Sequence, residues 1–315
     1  MWAILNRLIG SALVLWLVSV VLFALVHAIP VSPARVVLGA DASEADLAGF
    51  DHDHGLDRPL LAQYESWAGG VLRGDFGQSL VDDTDISPQI AQTLPVTLEL
   101  VVAAFLLALA IALPLGILSA FYEERWIDHL ARGFATLGVS IPSFWLGLML
   151  IAWGAVRLGW FPAGGYVPLS DGLVPHLRSL ALPAMALGLY YVAIISRMTR
   201  SSVADVLLAD HIRVARAMGL PRARILAYAL RCAMAPVVTV AAMSFGYMFG
   251  WALIIEQVFN IAGMSHALLN AILRRDYLVI EDVVLIFTAF FLAANLLADI
   301  LYRLLDPRLA EPAAA

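Results

Sequence analysis

Long, nearly uncharged apolar runs alternate with short polar stretches along this chain, and the runs far outlast the roughly 4–8 residues of a buried strand. Six of them are long enough to cross about 30 Å of hydrocarbon as helices. They lie near Leu8–Ile29, Leu94–Phe121, Gly133–Val156, Ser179–Ser196, Ala233–Phe259 and Val283–Tyr302. Pro114 and Gly116 break the second, and Pro142 falls inside the third. The first is too long for the apolar stretch of a secretory signal, and the VHAIPVSPA that follows is a poor cleavage site. The pattern predicts an all-α membrane protein with six transmembrane helices.

Two polar segments stand out between the runs. Asp210–Arg231, DHIRVARAMGLPRARILAYALR, reads as two short helices joined by a tight turn. Gly219 sits where a helix C-terminal glycine belongs, and Pro221 can open the next helix without losing a needed N–H. Arg213, Arg216, Arg222, Arg224 and Arg231 are interleaved with Ile212, Ala215, Ile225 and Leu226. That pattern suits docking into a partner; a solvated basic linker is the plainer alternative. The other segment, 30–93, carries eleven acidic residues against three arginines and is too long for a mere connector. Within it Tyr64, Trp67, Val71 and Leu72 recur at helical spacing, which predicts a small helical cap on the outer membrane face. The implied division is a first span at 1–29, the outer segment at 30–93, a five-helix core at 94–305 enclosing the polar loop 200–232, and a disordered tail at 306–315.

Composition agrees with the pattern. The 315 residues are 62% hydrophobic and 14% charged, where soluble domains run near 45–50% and about 25%. Mean hydropathy is +0.85. A single cysteine, Cys232, excludes an internal disulfide. All 19 basic residues are arginine. With both termini cytoplasmic, twelve arginines lie inside and seven outside, so an N-in/C-in orientation is favoured.

Candidate chemistry is sparse. Glu99, Glu256 and Asp299 are ionisable groups in or at the ends of spans, each a functional candidate by default. Glu256 is placed to line the entry to a pathway, Asp299 to make a structural ion pair, and Glu99 to reach the outer surface. Gly246 and Gly250 form a small-xxx-small pair that serves packing either within the chain or against a partner helix. Pro114 and Pro142 are either hinges or ordinary membrane-helix prolines. In Asp51-His52-Asp53-His54 with Asp57, alternating imidazole and carboxylate is a weak metal-ligand pattern, His52 and His54 being the candidate ligands; a solvated acidic loop is the plainer reading. His27 lies in a span without a catalytic companion, and no phosphate-binding GxxxxGK[ST] is present, so ATP hydrolysis is not expected of this chain. An ion-coupled secondary transporter would want paired carboxylates near mid-span and repeated halves, and neither is evident.

These residues carry a family resemblance. GLDRPLLAQYESWAGGVLRGDFGQSL (55–80), TLPVTLELVVAAFLLALAIALPLGILSA (93–120), SIPSFWLGLMLI (140–151), RMTRSSVADVLLADHIRVARAMGL (197–220), RDYLVIEDVVL and NLLADILYRLLDPR occur in the order seen in the transmembrane permease subunit of dipeptide/oligopeptide/nickel ABC importers. Ala215, Arg216, Ala217 and Gly219 stand in the place of that family's EAA–Gly signature, whereas Asn260-Ile261-Ala262-Gly263 replaces a frequent Ser-Trp-Pro-Gly turn.

The resemblance implies a type I ABC importer permease fold in a bacterial inner membrane, and a transport subunit rather than an enzyme. It implies a second homologous permease forming a heterodimer, two ABC ATPase subunits that bind ATP and Mg, an extracytoplasmic solute-binding protein, and surrounding lipid. Nucleic acid is not an expected partner, and no cofactor is expected in this chain. The ATPase-coupling residues would be Asp210, Arg213, Ala215, Arg216, Ala217, Gly219 and Leu220. Pro142, Trp145 and Glu256 are the candidates for the translocation pathway or gate. Small peptides are the leading cargo, nickel or a metal chelate the alternative.

Overall fold

A computed structural model describes residues 2–28, 32–39 and 41–305. The predicted tail 306–315, with Arg308, and the boundary at Ile29–Val31 lie outside the described residues, and the side chains of Arg222 and Asp299 are likewise outside. The chain is nearly all helical: α1 (Trp2–His27), α2 (Pro33–Leu38), α3 (Glu44–Asp53), α4 (Leu60–Val71), α5 (Ile86–Phe121), α6 (Trp126–Ser140), α7 (Ser143–Leu150), α8 (Leu173–Leu208), α9 (Asp210–Ala217), α10 (Arg222–Val258), α11 (Met264–Arg274) and α12 (Tyr277–Leu305). Among the described residues five stretches are long and apolar enough to span a membrane: Asn6–His27, Ile86–Phe121, Leu173–Leu208, Ala223–Val258 and Tyr277–Ala298. A sixth span requires α6 and α7 with its π-helical continuation to count as one.

Three sequence expectations are corrected. The third run is not one straight helix: its two halves meet at 100° around Ile141 and Pro142. Proline at the α7 N-cap position, with extended φ −60° and ψ 133°, stops α6 and restarts the chain in a new direction. Pro114 and Gly116 do not break α5, which runs unbroken for 36 residues. Within a long helix the carbonyl freed by proline is tolerated when neighbouring turns adjust. The second helix of the polar loop is not short either, because Arg222 opens the 37-residue α10. Alanine, leucine and arginine are all strong helix formers, so nothing in 222–233 stops it from joining the apolar run.

Contacts divide the chain into two compact units, Met1–Thr97 with Ala262–Leu292, and Leu98–Ile261 with Ala293–Ala315. In the first, Phe23, Trp67 and Leu285 form a buried cluster joined by Tyr64, Val71 and Leu278. The predicted amphipathic face of α4 therefore exists, but Leu72 lies past the helix end and is 89% exposed. Trp67 donates its indole N–H to Asp282 at 2.9 Å, and Ser79 donates to Asp276 at 2.5 Å.

In the second unit α8 packs on α6, α7 and α10. The α5–α8 crossing is close because two glycines remove side chains. A Cβ on Gly116 would meet the Ser196 carbonyl and Thr199 Cβ at 2.6 Å, and one on Gly188 would meet the Ala104 carbonyl at 2.9 Å. Gly116 thus serves helix packing rather than a helix break.

Candidate coupling and translocation sites

The polar loop is built from its turns outward. Ala209 takes an extended conformation (φ −66°, ψ 148°) and ends α8, so α9 starts in a new direction. At its other end Gly219 has φ +73°, the left-handed conformation that glycine reaches without a Cβ penalty. Its N–H donates to the Arg216 carbonyl at 3.0 Å and that of Leu220 to the Ala215 carbonyl at 3.2 Å, satisfying the carbonyls of the last turn. Pro221 (φ −64°, ψ 143°) then starts α10.

The inner side of α9 is fixed. Ile212 is fully buried against Ala120, Val203, Leu207, Ile225 and Ala229, with Ala215 and Leu220 packed partly beneath. The outer side presents Arg213, Arg216 and Ala217 beside two exposed apolar residues, Val214 (56%) and Met218 (73%). Asp210 at the first turn pairs with Arg213 at 3.2 Å on the surface. The structure thus places all seven coupling candidates on one short helix and its turn.

A charged clamp missed in the sequence lies in the same unit. Asp128, fully buried near the start of α6, receives Arg200 Nε at 2.6 Å and Nη2 at 2.8 Å, Ser119 Oγ at 2.5 Å and the Glu124 N–H at 3.1 Å. Arg200 also approaches Glu123 at 3.6 Å. The carboxylate ties α5, α6 and α8 together. In the sequence Arg200 is one of the twelve inside arginines, and the only local signal for the clamp is an aspartate in the first turn of an amphipathic helix.

The pathway candidates differ in exposure. Pro142 and Trp145 sit within the first turn of α7, with Trp145 48% exposed, while Glu256 on α10 is fully buried. Gly147, one turn on, packs against Val258 and Phe259. Of the small pair, Gly246 is buried, whereas Gly250 is exposed with open space around it. Glu99 is held rather than free: Tyr166 donates to it at 2.5 Å, and His176 Nε2 lies 3.9 Å away. Burial, then the Glu99 hydrogen bond, pushes the Tyr166 phenol up to about 12.

The two outer histidines do not converge. Asp51–Asp53 is the last turn of α3 rather than a loop. His52 Nδ1 meets Asp57 Oδ2 at 2.9 Å. His54 is stacked on Phe50, with Nδ1 on the Phe50 carbonyl and Nε2 on Asp83 Oδ1, both at 3.0 Å. The Asp57 hydrogen bond raises the His52 pKa. For His54, burial acts downward, but the Asp83 and Phe50 hydrogen bonds outweigh it and the net shift is upward.

The family of binding-protein-dependent transport system inner membrane components matches residues 112–311, and its N-terminal companion matches residues 1–101. A Brucella abortus protein bearing the name peptide transport system permease is 36% identical over 306 residues, covering 97% of this chain and 98% of its own. The glutathione transport system permease protein GsiC of Salmonella typhimurium is 36% identical over 305 residues, covering 96% of this chain and 97% of its own. The solved MetNI methionine ABC transporter, in inward-facing form, superposes with a TM-score of 0.57 at 16% identity, over 70% of this chain and 97% of that one, a likeness of fold alone. The chain belongs to the family of binding-protein-dependent transport system inner membrane components: it is a multi-pass permease subunit of an ABC importer. Subunits of this kind work with ATPase and substrate-binding partners.

Proposed function

We propose that this chain forms half of the translocation pathway for small peptides, paired with a second homologous permease, with N-in/C-in topology and six spans. Two cytoplasmic ATPase subunits hold ATP and Mg and carry out hydrolysis, and α9 seats in their surface. The observation that carries the reading is α9 itself, anchored on one side by Ile212 and offering Val214 and Met218 between arginines on the other. Exposed apolar residues among charges suit docking better than solvation. Because its neighbours α8 and α10 run 36 and 37 residues, movement of a seated α9 would be transmitted as rigid-body motion of helices. The peptide names of the two relatives support that cargo over nickel or a metal chelate. So does the pairing of His52 and His54 with separate carboxylates.

The test is uptake of a labelled dipeptide into proteoliposomes holding the assembled importer. Uptake is expected to need ATP, the ATPases and the binding protein, and to survive collapse of ion gradients. Gradient-driven uptake without ATP would favour a secondary transporter. Selective uptake of nickel would favour the metal reading.

A further inference from the structure

The first unit holds a cavity of about 610 Å³ that the transport reading does not use. Its size falls in the range of small-molecule sites, roughly 300–1,000 Å³. Phe23, Trp67 and Leu278 supply apolar wall, and Glu281 supplies a carboxylate.

Glu281 is 1% exposed, and its Oε1 has no hydrogen-bond donor. The nearest ring nitrogen, His27 Nδ1, is 3.9 Å away and meets the Phe23 carbonyl at 2.9 Å. His27 Nε2 in turn faces Gln63 Oε1 at 3.2 Å. The Gln63 amide is itself held, because its NH₂ donates to the carbonyls of Leu56 and Arg58 at 3.0 and 2.8 Å. Neither His27 nor Gln63 can turn to serve the carboxylate without breaking one of these bonds. A buried carboxylate lacking a donor is costly, and one at the head of a membrane helix is a functional candidate.

The surroundings select the ligand's sign. Asp51, Asp53 and Asp75 also line the cavity, against one arginine, Arg58. An anion would be repelled. A bare metal ion would want several ligands, and among the described residues no group of three or more His, Cys, Asp or Glu side chains is placed to hold one. An organic cation fits better: its N–H donors meet Glu281, and its apolar part lies along the apolar wall of Phe23, Trp67 and Leu278.

We propose that this cavity binds the primary ammonium group of a small, partly apolar molecule, with Glu281 as its counter-ion. Two sources share that chemistry: a free ligand such as a short peptide or amino-acid amide, and the ethanolamine headgroup of a lipid.

Equilibrium binding of radiolabelled leucinamide to the full chain in phosphatidylcholine nanodiscs tests the proposal without invoking transport. Saturable binding is expected, with N-acetyl-leucinamide competing at least tenfold more weakly because its ammonium is gone. Glu281→Gln should weaken binding at least tenfold. Ser66→Phe, an exposed cavity-lining position on α4, should do the same by filling the space and guards against a folding defect in the first variant. Loss of leucinamide binding when phosphatidylethanolamine replaces phosphatidylcholine would assign the lipid as occupant. Unchanged binding would assign the free ligand. Equal binding by parent and both variants, or no leucinamide binding together with no phosphatidylethanolamine retained in native mass spectra, would overturn the proposal. Failure here leaves the ATP-driven uptake assay untouched.

Discussion

Asp128 and Arg200, 72 residues apart, are joined by two parallel hydrogen bonds of 2.6 and 2.8 Å, with the carboxylate fully buried and the guanidinium side chain 21% exposed. The forked geometry is one that arginine makes and lysine does not. Arg200 lies nine residues before Ala209, so the clamp steadies the helix that leads into α9.

Removing Arg200 leaves a buried carboxylate with only Ser119, the Glu124 N–H and Arg132 at 3.4 Å. Arg200→Ala is expected to destabilise the solubilised chain by about 3 kcal/mol, the low end for breaking a buried pair. Arg200→Lys should recover only part of that. Thermal unfolding of the three proteins checks the order; a lysine variant as stable as the parent would show that the fork contributes little.

The α5–α8 crossing gives a steric prediction. Gly116→Val places a branched side chain against the Ser196 carbonyl and Thr199, and should cost about 2 kcal/mol or more. Gly133→Ala, where a Cβ meets nothing within 4 Å, should be neutral or slightly stabilising. Unfolding midpoints of both, measured side by side, separate close packing from a general intolerance of glycine replacement.

The outer histidines carry a pH prediction. His54 has a folded-state pKa above its ordinary value of about 6.5. Its pairing with Asp83 therefore stabilises fully below that ordinary value and is lost as pH rises through the higher folded value. Amide exchange around Phe50–Leu56 should be more protected near pH 5.5 than near pH 8.5, and His54→Ala should remove the difference. Replacing His52 and His54 together should leave uptake unchanged at every cargo concentration. A loss confined to metal cargo would revive them as ligands.

Much of the architecture is legible in the sequence because lipid imposes one rule, a long apolar run for each crossing. The Gly219 turn is legible as well, since Gly-Leu-Pro has few other local solutions. The 100° bend at Pro142 is not: proline announces a break, but its angle is set by how α6 and α7 both pack on α8. The continuity of α10 was hidden because Arg222–Arg231 changes polarity without changing helix propensity. Asp128–Arg200 and Glu281 were hidden for a common reason. A charge in sequence looks solvated until the fold brings its partner, or withholds one.

Topology is tested by labelling. In a Cys232→Ser background, cysteines introduced at Asp53 and Arg222 should react with an impermeant thiol reagent from opposite sides of the membrane. Reaction from the same side would contradict the six-span arrangement.

The central claim, that α9 transmits ATP-driven motion, is tested most directly by Gly219→Val in the assembled importer. A branched residue at φ +73° strains the turn, while the open space around Gly219 leaves the packed side of α9 untouched. Initial rates of ATP-driven dipeptide uptake into proteoliposomes should fall at least tenfold, with insertion and chain stability close to the parent. Undiminished uptake by a normally assembled variant would contradict the account and leave α9 a linker.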